Sequence, residues 1–392
     1  MKPFYFITLL AMLCFGCGKN NPVTPVPEKP PVLNILSAPT GLSATKGAYD
    51  DKVVVSWAKV TGAKKYQVYR SANAETGFEL FTETADTTIN DEAGEAHVNR
   101  YYKVKIYNSA AEYSALSPAD FGFKLSKTYS LWYSFGSMGR DSGKFVSAKH
   151  VATDAAGNIF VADEVNSLIQ KFSRDGKYIT NLMIAPVPRG MLALRNGNLF
   201  TTNVSPSTAS IAIFNPEGFL VGRWGWSFQY DEKLESAEEV AEDDERKLYI
   251  VDGQTNLVKR YDTTGLVTLK FNGAIKTPGQ ATDAYPFGVT CLNGEVFVTS
   301  PNNTMVRVYD RDGNFKRTWD AGAPCYSVKA YNGWLFIAAG NYVLRTDVNG
   351  AVKEKIGEGS FVGHSAIGLA VNTFGEVIAT DVSVSKVLVF RR

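Results

Sequence analysis

Histidine is scarce in this 392-residue chain, with three copies, and cysteine is hardly commoner, with four. Only His150 and His364 lie beyond residue 123, too few for a histidine-built zinc site, which needs three or four donors converging on one point. Neither His-Glu-x-x-His nor Gly-x-Ser-x-Gly occurs, so the zinc-protease helix and the hydrolase elbow are both missing. Charge of one sign is also lacking. Lys and Arg number 41 against 39 Asp and Glu, and the basic residues are scattered. Nucleic acid is therefore not an expected partner, because tracking phosphates needs a concentrated basic face. No catalytic set and no metal ligand set follows from residue types alone.

What is present points to β-structure in more than one domain. The chain is too long for one ordinary domain. Its 34 glycines and 12% aromatic residues suit an all-β protein with many turns.

The N-terminus reads as a targeting segment. Lys2 precedes a mainly apolar run, Phe4 to Phe15, too short to cross a bilayer, and Gly16-Cys17 follows. A small residue directly before a cysteine resembles a bacterial lipoprotein signal over residues 1–17. That resemblance implies lipidation of Cys17, a membrane as partner, and a place in the cell envelope, on an outer-membrane, periplasmic or surface face. Cys14 stands where that family prefers leucine. Residues 18–36 carry a proline-rich stretch, GKNNPVTPVPEKPPVL, expected to stay extended as a tether.

Residues 37–123 show period-2 alternation in Val53–Trp57, Tyr66–Arg70 and Tyr101–Ile106, which places Trp57 and Tyr66 on a core face between two sheets. The Ala38-Pro39 start, the strand tryptophan, Tyr66-Gln67-Val68-Tyr69-Arg70 and Tyr101-Tyr102-Lys103-Val104 together resemble a fibronectin type III domain. The resemblance implies a spacer rather than a catalyst. No Arg-Gly-Asp occurs, so cell adhesion does not transfer. His97 falls in a polar turn and is expected to be solvated.

From residue 128 to 392 one unit repeats six times. Apolar strands at Asn158–Asp163, Asn198–Asn203, Lys247–Asp252, Glu295–Ser300, Trp334–Ala339 and Glu376–Asp381 each precede another strand. Five of those end near an aromatic: Phe172, Phe214, Tyr261, Tyr309 and Phe390. A glycine turn follows in the first five units, as in Asp175-Gly176 and Asp312-Gly313. Four short strands per unit make a propeller blade. The sixth unit ends a strand short, and Tyr129–Phe135 can supply it, closing the ring. Val161-Ala162-Asp163, Asn166, Phe172 and Asp175-Gly176 resemble NHL repeats, which implies a six-bladed β-propeller. The predicted fold is all-β: a β-sandwich followed by that propeller.

Innermost strands line a propeller's channel, and ligands sit at its mouth. Aligning the units puts Lys149-His150, Arg189-Gly190, Glu238-Glu239, Phe287, Tyr326 and Ile367-Gly368 at one mouth. Two basic blades beside an acidic one, with aromatics beyond, suit a polar ligand such as a glycan or a peptide. The plainer reading is a solvated rim with no dedicated ligand. Asp163, Asn203, Asp252, Ser300 and Asp381 are expected to bond backbone amides of the following turn rather than a metal. The acidic run Glu235–Glu245 is expected to be a solvated loop. Cys291 and Cys325 fall near opposite ends of neighbouring inner strands and are expected to be thiols.

The function expected is recognition of a protein or glycan at the propeller mouth, by a lipid-anchored monomer that needs no cofactor. The alternative is a metal-dependent hydrolase or lyase, with calcium held by Glu238, Glu239 or Asp154.

Overall fold

The computed structural model describes residues 34–183, 187–194, 196–203, 210–224, 234–274, 284–363 and 366–392. Residues 1–33, with Cys17 and the whole stretch GKNNPVTPVPEKPPVL, lie outside the described residues, as does His364. The described secondary structure is all β apart from one short 3-10 turn, and no helix among these residues is long and apolar enough to cross a membrane. Two compact units emerge, one built mainly from the strands between Asn34 and Gly122, the other from Phe123 onward together with Thr45–Val53 and Asp91–Asn99.

The first unit has two sheets. Ser43–Ala44, Val53–Ser56 and Thr88–Asp91 form one. The other holds Asn34–Leu36, Glu112–Ser114, Arg100–Ser109, Tyr66–Ser71 and Glu79–Thr84, with Asp120–Gly122 on Arg100–Ser109. Alternation does the folding work: Tyr102, Val104 and Ile106 are fully buried while Lys103 and Lys105 face outward. Trp57 packs edge-on to Tyr66 at 5.4 Å in the core. Asn34–Leu36, expected in the tether, is instead a strand paired in parallel with Glu112–Ser114. His97 is half-buried, not solvated: its backbone N–H donates to Lys124 O, and burial holds its imidazole below the ordinary pKa.

The second unit is a β-propeller of six four-stranded sheets. Its inner strands are Ala148–Thr153, Pro188–Ala193, Ala237–Glu242, Gly288–Leu292, Cys325–Tyr331 and Ala366–Val371, and each packs on the next around a closed ring. Second strands such as Ile159–Asp163 and Leu248–Asp252 are buried along their whole length because a blade lies on both sides. Phe172, Phe214, Tyr261, Tyr309 and Phe390, with Thr346 in blade five, end the third strands and are all buried between blades. Ser130–Phe135 pairs antiparallel with Lys386–Arg391, so blade six takes its outer strand from ahead of blade one.

Hairpin glycines serve packing as well as turning. Gly313 and Gly350 hold φ of +79° and +88°. A Cβ on either would also lie within 2.7 Å of Phe271 or Trp319 from the preceding blade.

The aspartates that close the second strands bond backbone, but mainly of the incoming loop rather than the following turn. Asp163 accepts from Val146 N at 2.9 Å and Ser147 N at 3.0 Å, Asp252 from Ser236 N at 3.0 Å, and Asp381 from Val362 N at 2.7 Å. Each carboxylate thus fixes the path by which the chain enters its own inner strand. Asn203 departs: both side-chain polar atoms are buried without a partner.

Candidate functional site

The inner strands share a local device at one end of the channel. In five of six blades the register slips there, between Ala148 and His150, Pro188 and Met191, Ala237 and Val240, Cys325 and Val328, and Ala366 and Leu369. A bulge of this kind re-aims the side chains it carries. The residues at the slips are Lys149-His150, Arg189-Gly190, Glu238-Glu239, Tyr326-Ser327 and Ile367-Gly368; blade four reaches the same height with Phe287-Gly288 and no slip. Blades two, four and six put a glycine in the layer where one, three and five put His150, Glu239 and Ser327. A Cβ on Gly190, Gly288 or Gly368 would lie 2.5, 2.3 or 2.5 Å from the carbonyl oxygen of Glu238, Tyr326 or Lys149 in the next blade. The inner strands therefore touch backbone to backbone at alternate blades.

This layer is buried and ion-paired rather than a solvated rim. His150, Glu238, Glu239 and Phe287 are buried, and Lys149, Arg189 and Tyr326 are half-buried. Lys149 Nζ lies 2.8 Å from Glu164 Oε2, whose Oε1 accepts from Arg189 Nε at 3.1 Å. Arg189 also grips Glu238, which accepts from Ser236 Oγ at 2.7 Å. Glu239 reaches past Gly288 from blade three to blade five, where Ser327 Oγ and Lys329 Nζ meet its Oε1 at 2.7 and 2.6 Å. Burial pushes the Glu164 carboxyl up, but the Lys149 and Arg189 contacts outweigh it and leave it below the usual carboxylate range. The acidic run Glu235–Glu245 is thus no solvated loop. Its residues Ala237–Glu242 are the inner strand of blade three, with Glu238 and Glu239 matched to cations from other blades.

Aromatic rings cap the layer. The His150 and Phe287 rings stack at 5.8 Å and 19°, crossing the channel between opposite blades one and four. Tyr326 meets Phe287 edge-on at 6.0 Å, and Tyr285 does so at 6.5 Å. Two buried polar atoms in the layer have no partner, His150 Nε2 and Glu239 Oε2. Leaving such an atom unbonded costs about 1–3 kcal/mol. Beyond the layer the channel holds a cavity of about 220 Å³ with a mixed lining, Ala152, Leu192, Ala241 and Ala370 beside Thr290 and Lys329.

All seven side chains singled out in the sequence therefore come to one end of the channel. Asp154 does not. It sits past the far end of its inner strand, accepting from Ala156 N at 3.0 Å and Asn158 N at 2.8 Å, so it cannot join Glu238 and Glu239 around calcium. Among the described residues no three His, Cys, Asp or Glu side chains are placed to hold a metal ion. Cys291 and Cys325 are free thiols, both pushed up by burial. Glu164, Tyr285, Ser327 and Lys329 were missed. Period 2 would have found Lys329, which follows Ser327 as Ala152 follows His150 and Ala241 follows Glu239.

Burial, with Lys149, Arg189 and Lys329 nearby, holds the His150 imidazole well below its ordinary pKa. The folded state keeps it neutral while the unfolded chain protonates near pH 6.5, so stability is complete above that pH and falls below it. One such group removes up to about 1.4 kcal/mol per pH unit. Between pH 7.5 and 5.5 the thermal midpoint of the wild type should fall more steeply than that of His150→Phe. Parallel profiles would contradict the assignment.

No known protein-family profile matches the sequence, and no curated protein matches it. Solved structures do. A protein of unknown function from Bacteroides thetaiotaomicron VPI-5482 is similar at 14% identity and a TM-score of 0.53, over 89% of this chain and 97% of that one. A gluconolactonase from Xanthomonas campestris is 15% identical with a TM-score of 0.48, over 63% of this chain and 88% of the other. A streptogramin B lyase is 13% identical with a TM-score of 0.45, over 91% and 93%. At such identities the likeness is one of fold.

Proposed function

We propose that this is an exported, lipid-anchored binding protein whose propeller mouth recognises a protein or a glycan without transforming it. Convergence carries the reading: side chains from four inner strands and the approach to a fifth meet at one end of the channel, where half-buried Lys149, Arg189, Tyr285 and Tyr326 remain reachable around a buried polar layer. A few convergent polar groups with aromatic walls are what orient a ligand in a concave site. The calcium-dependent hydrolase or lyase remains the alternative, and it would require Glu238 and Glu239 to exchange Arg189 and Lys329 for a cation.

The rest of the chain fits this role. Lipidated Cys17 would hold the protein in the cell envelope, the proline-rich stretch would serve as tether, and the sandwich, as a fibronectin type III spacer, would give the propeller reach. An NHL-like propeller in a monomer would then present one mouth per anchor.

The test has two arms. Cys17→Ser should move the protein from the membrane to the soluble fraction in the producing cell, and an unchanged distribution rejects the anchor. On glycan and peptide arrays the purified protein should retain a defined ligand, with at least tenfold weaker binding by Tyr326→Ala. Metal-dependent turnover of that ligand would replace recognition with catalysis.

A further inference from the structure

We infer that the group entering the propeller mouth is neutral and hydroxyl-bearing, a sugar ring rather than a charged peptide end or a phosphate. The inference rests on the mouth being a recognition site, and it narrows what that site takes.

Charge balance is the first ground. Three cations, Lys149, Arg189 and Lys329, face three carboxylates, Glu164, Glu238 and Glu239, and every one of the six sits in an ion pair within the set. Among the described residues of this layer no charge is left over to meet a charged ligand, and desolvating an unmatched ion there is costly.

The second ground is the pair of buried atoms without partners, His150 Nε2 and Glu239 Oε2. Glu239 is held by Lys329 as a carboxylate, so this oxygen can only accept. The imidazole is neutral, so its nitrogen either donates or accepts according to tautomer. Hydroxyls satisfy both cases: one donates to Glu239 and accepts from a protonated His150 Nε2, and where Nε2 is bare a neighbouring hydroxyl of the same ring donates to it. A phosphate or carboxylate brings only acceptors to Glu239. An ammonium adds a fourth cation beside Lys149, Arg189 and Lys329.

Aromatic surface is the third ground. Tyr285 and Tyr326 set their edges against Phe287 and keep part of their surface open. Negative ring faces suit the C–H face of a saturated ring. Both unpartnered atoms are buried, and the His150 ring is stacked on Phe287, so a hydroxyl reaches them only when side chains of the layer move.

Binding of the purified full-length protein to a panel of neutral oligosaccharides, sialylated or phosphorylated oligosaccharides, and peptides decides the matter, read by calorimetry with Tyr285→Ala and Tyr326→Ala alongside. These two half-exposed tyrosines can be cut back while the ion-paired layer stays. The expected result is binding within the neutral set, weakened tenfold or more by either substitution. Binding of anionic glycans or peptides with the same dependence on the tyrosines would overturn the neutral-ligand inference and leave mouth recognition standing. Binding that ignores both tyrosines, or none in any set, would overturn both.

Discussion

Gly368→Val should lower the thermal midpoint of the protein by roughly 6–12 °C, on a cost of about 3 kcal/mol and about 2–4 °C per kcal/mol for a domain of this size. Gly368 is buried on the inner strand of blade six, where that blade meets blade one across the ring closure. A Cβ there would stand 2.5 Å from Lys149 O and 2.7 Å from His150 Cα. Both are backbone atoms of the bulge in blade one, so no rotamer change makes room, and the inner strands must separate. Thr380 Oγ1 would lose its place as well, since it accepts from Gly368 N at 2.8 Å and donates to Lys149 O at 3.2 Å. Gly222→Ala is the control. Its Cβ would meet only Ile213 side-chain carbons at 3.4 Å or more, and its φ is not positive. A change within about 1 kcal/mol is expected there. Equal midpoints for the two variants would mean that blades six and one do not touch as described.

The same contact shows what a single sequence reveals and what it hides. Period and turn chemistry are local, so the all-β propeller was legible: apolar second strands at a steady spacing, an aromatic closing the third, and a glycine where the hairpin needs positive φ. The height of the channel residues was legible too, because a common strand register carries Lys149, Arg189, Glu238, Phe287 and Tyr326 to one end. Their environment was not. Glu235–Glu245 has the local density of a solvated loop, but the partners that neutralise its buried members, Arg189 and Lys329, lie 49 and 90 residues from Glu238 and Glu239 respectively. Asp154 failed in another way. Four residues of strand separate it from His150, about 13 Å, which sets it at the other end of the channel. The second-strand aspartates were rightly given to backbone amides, while the loop that donates them enters from before the strand and carries no local mark of doing so.

The cross-channel pair gives the other large effect. Glu239→Ala should cost about 3–5 kcal/mol, because it strands the largely buried Lys329 ammonium, and Lys329→Met should cost a similar amount by stranding Glu239. The side chains are 3% and 16% exposed, so water can do little to rescue either charge. The double variant, Glu239→Leu with Lys329→Met, removes both ions together and should unfold within about 2 kcal/mol of the wild type, far from the sum of the single losses. Urea unfolding of the four proteins at pH 7.5 measures the cycle. Ser327 sharpens it: its hydroxyl donates to the same Glu239 oxygen as Lys329, so Ser327→Ala should cost only about 1 kcal/mol, as one hydrogen bond beside an intact ion pair. Additive single losses would mean that Glu239 and Lys329 do not share one buried pair across Gly288. A near-neutral double variant would mean that the propeller folds without this charge pair.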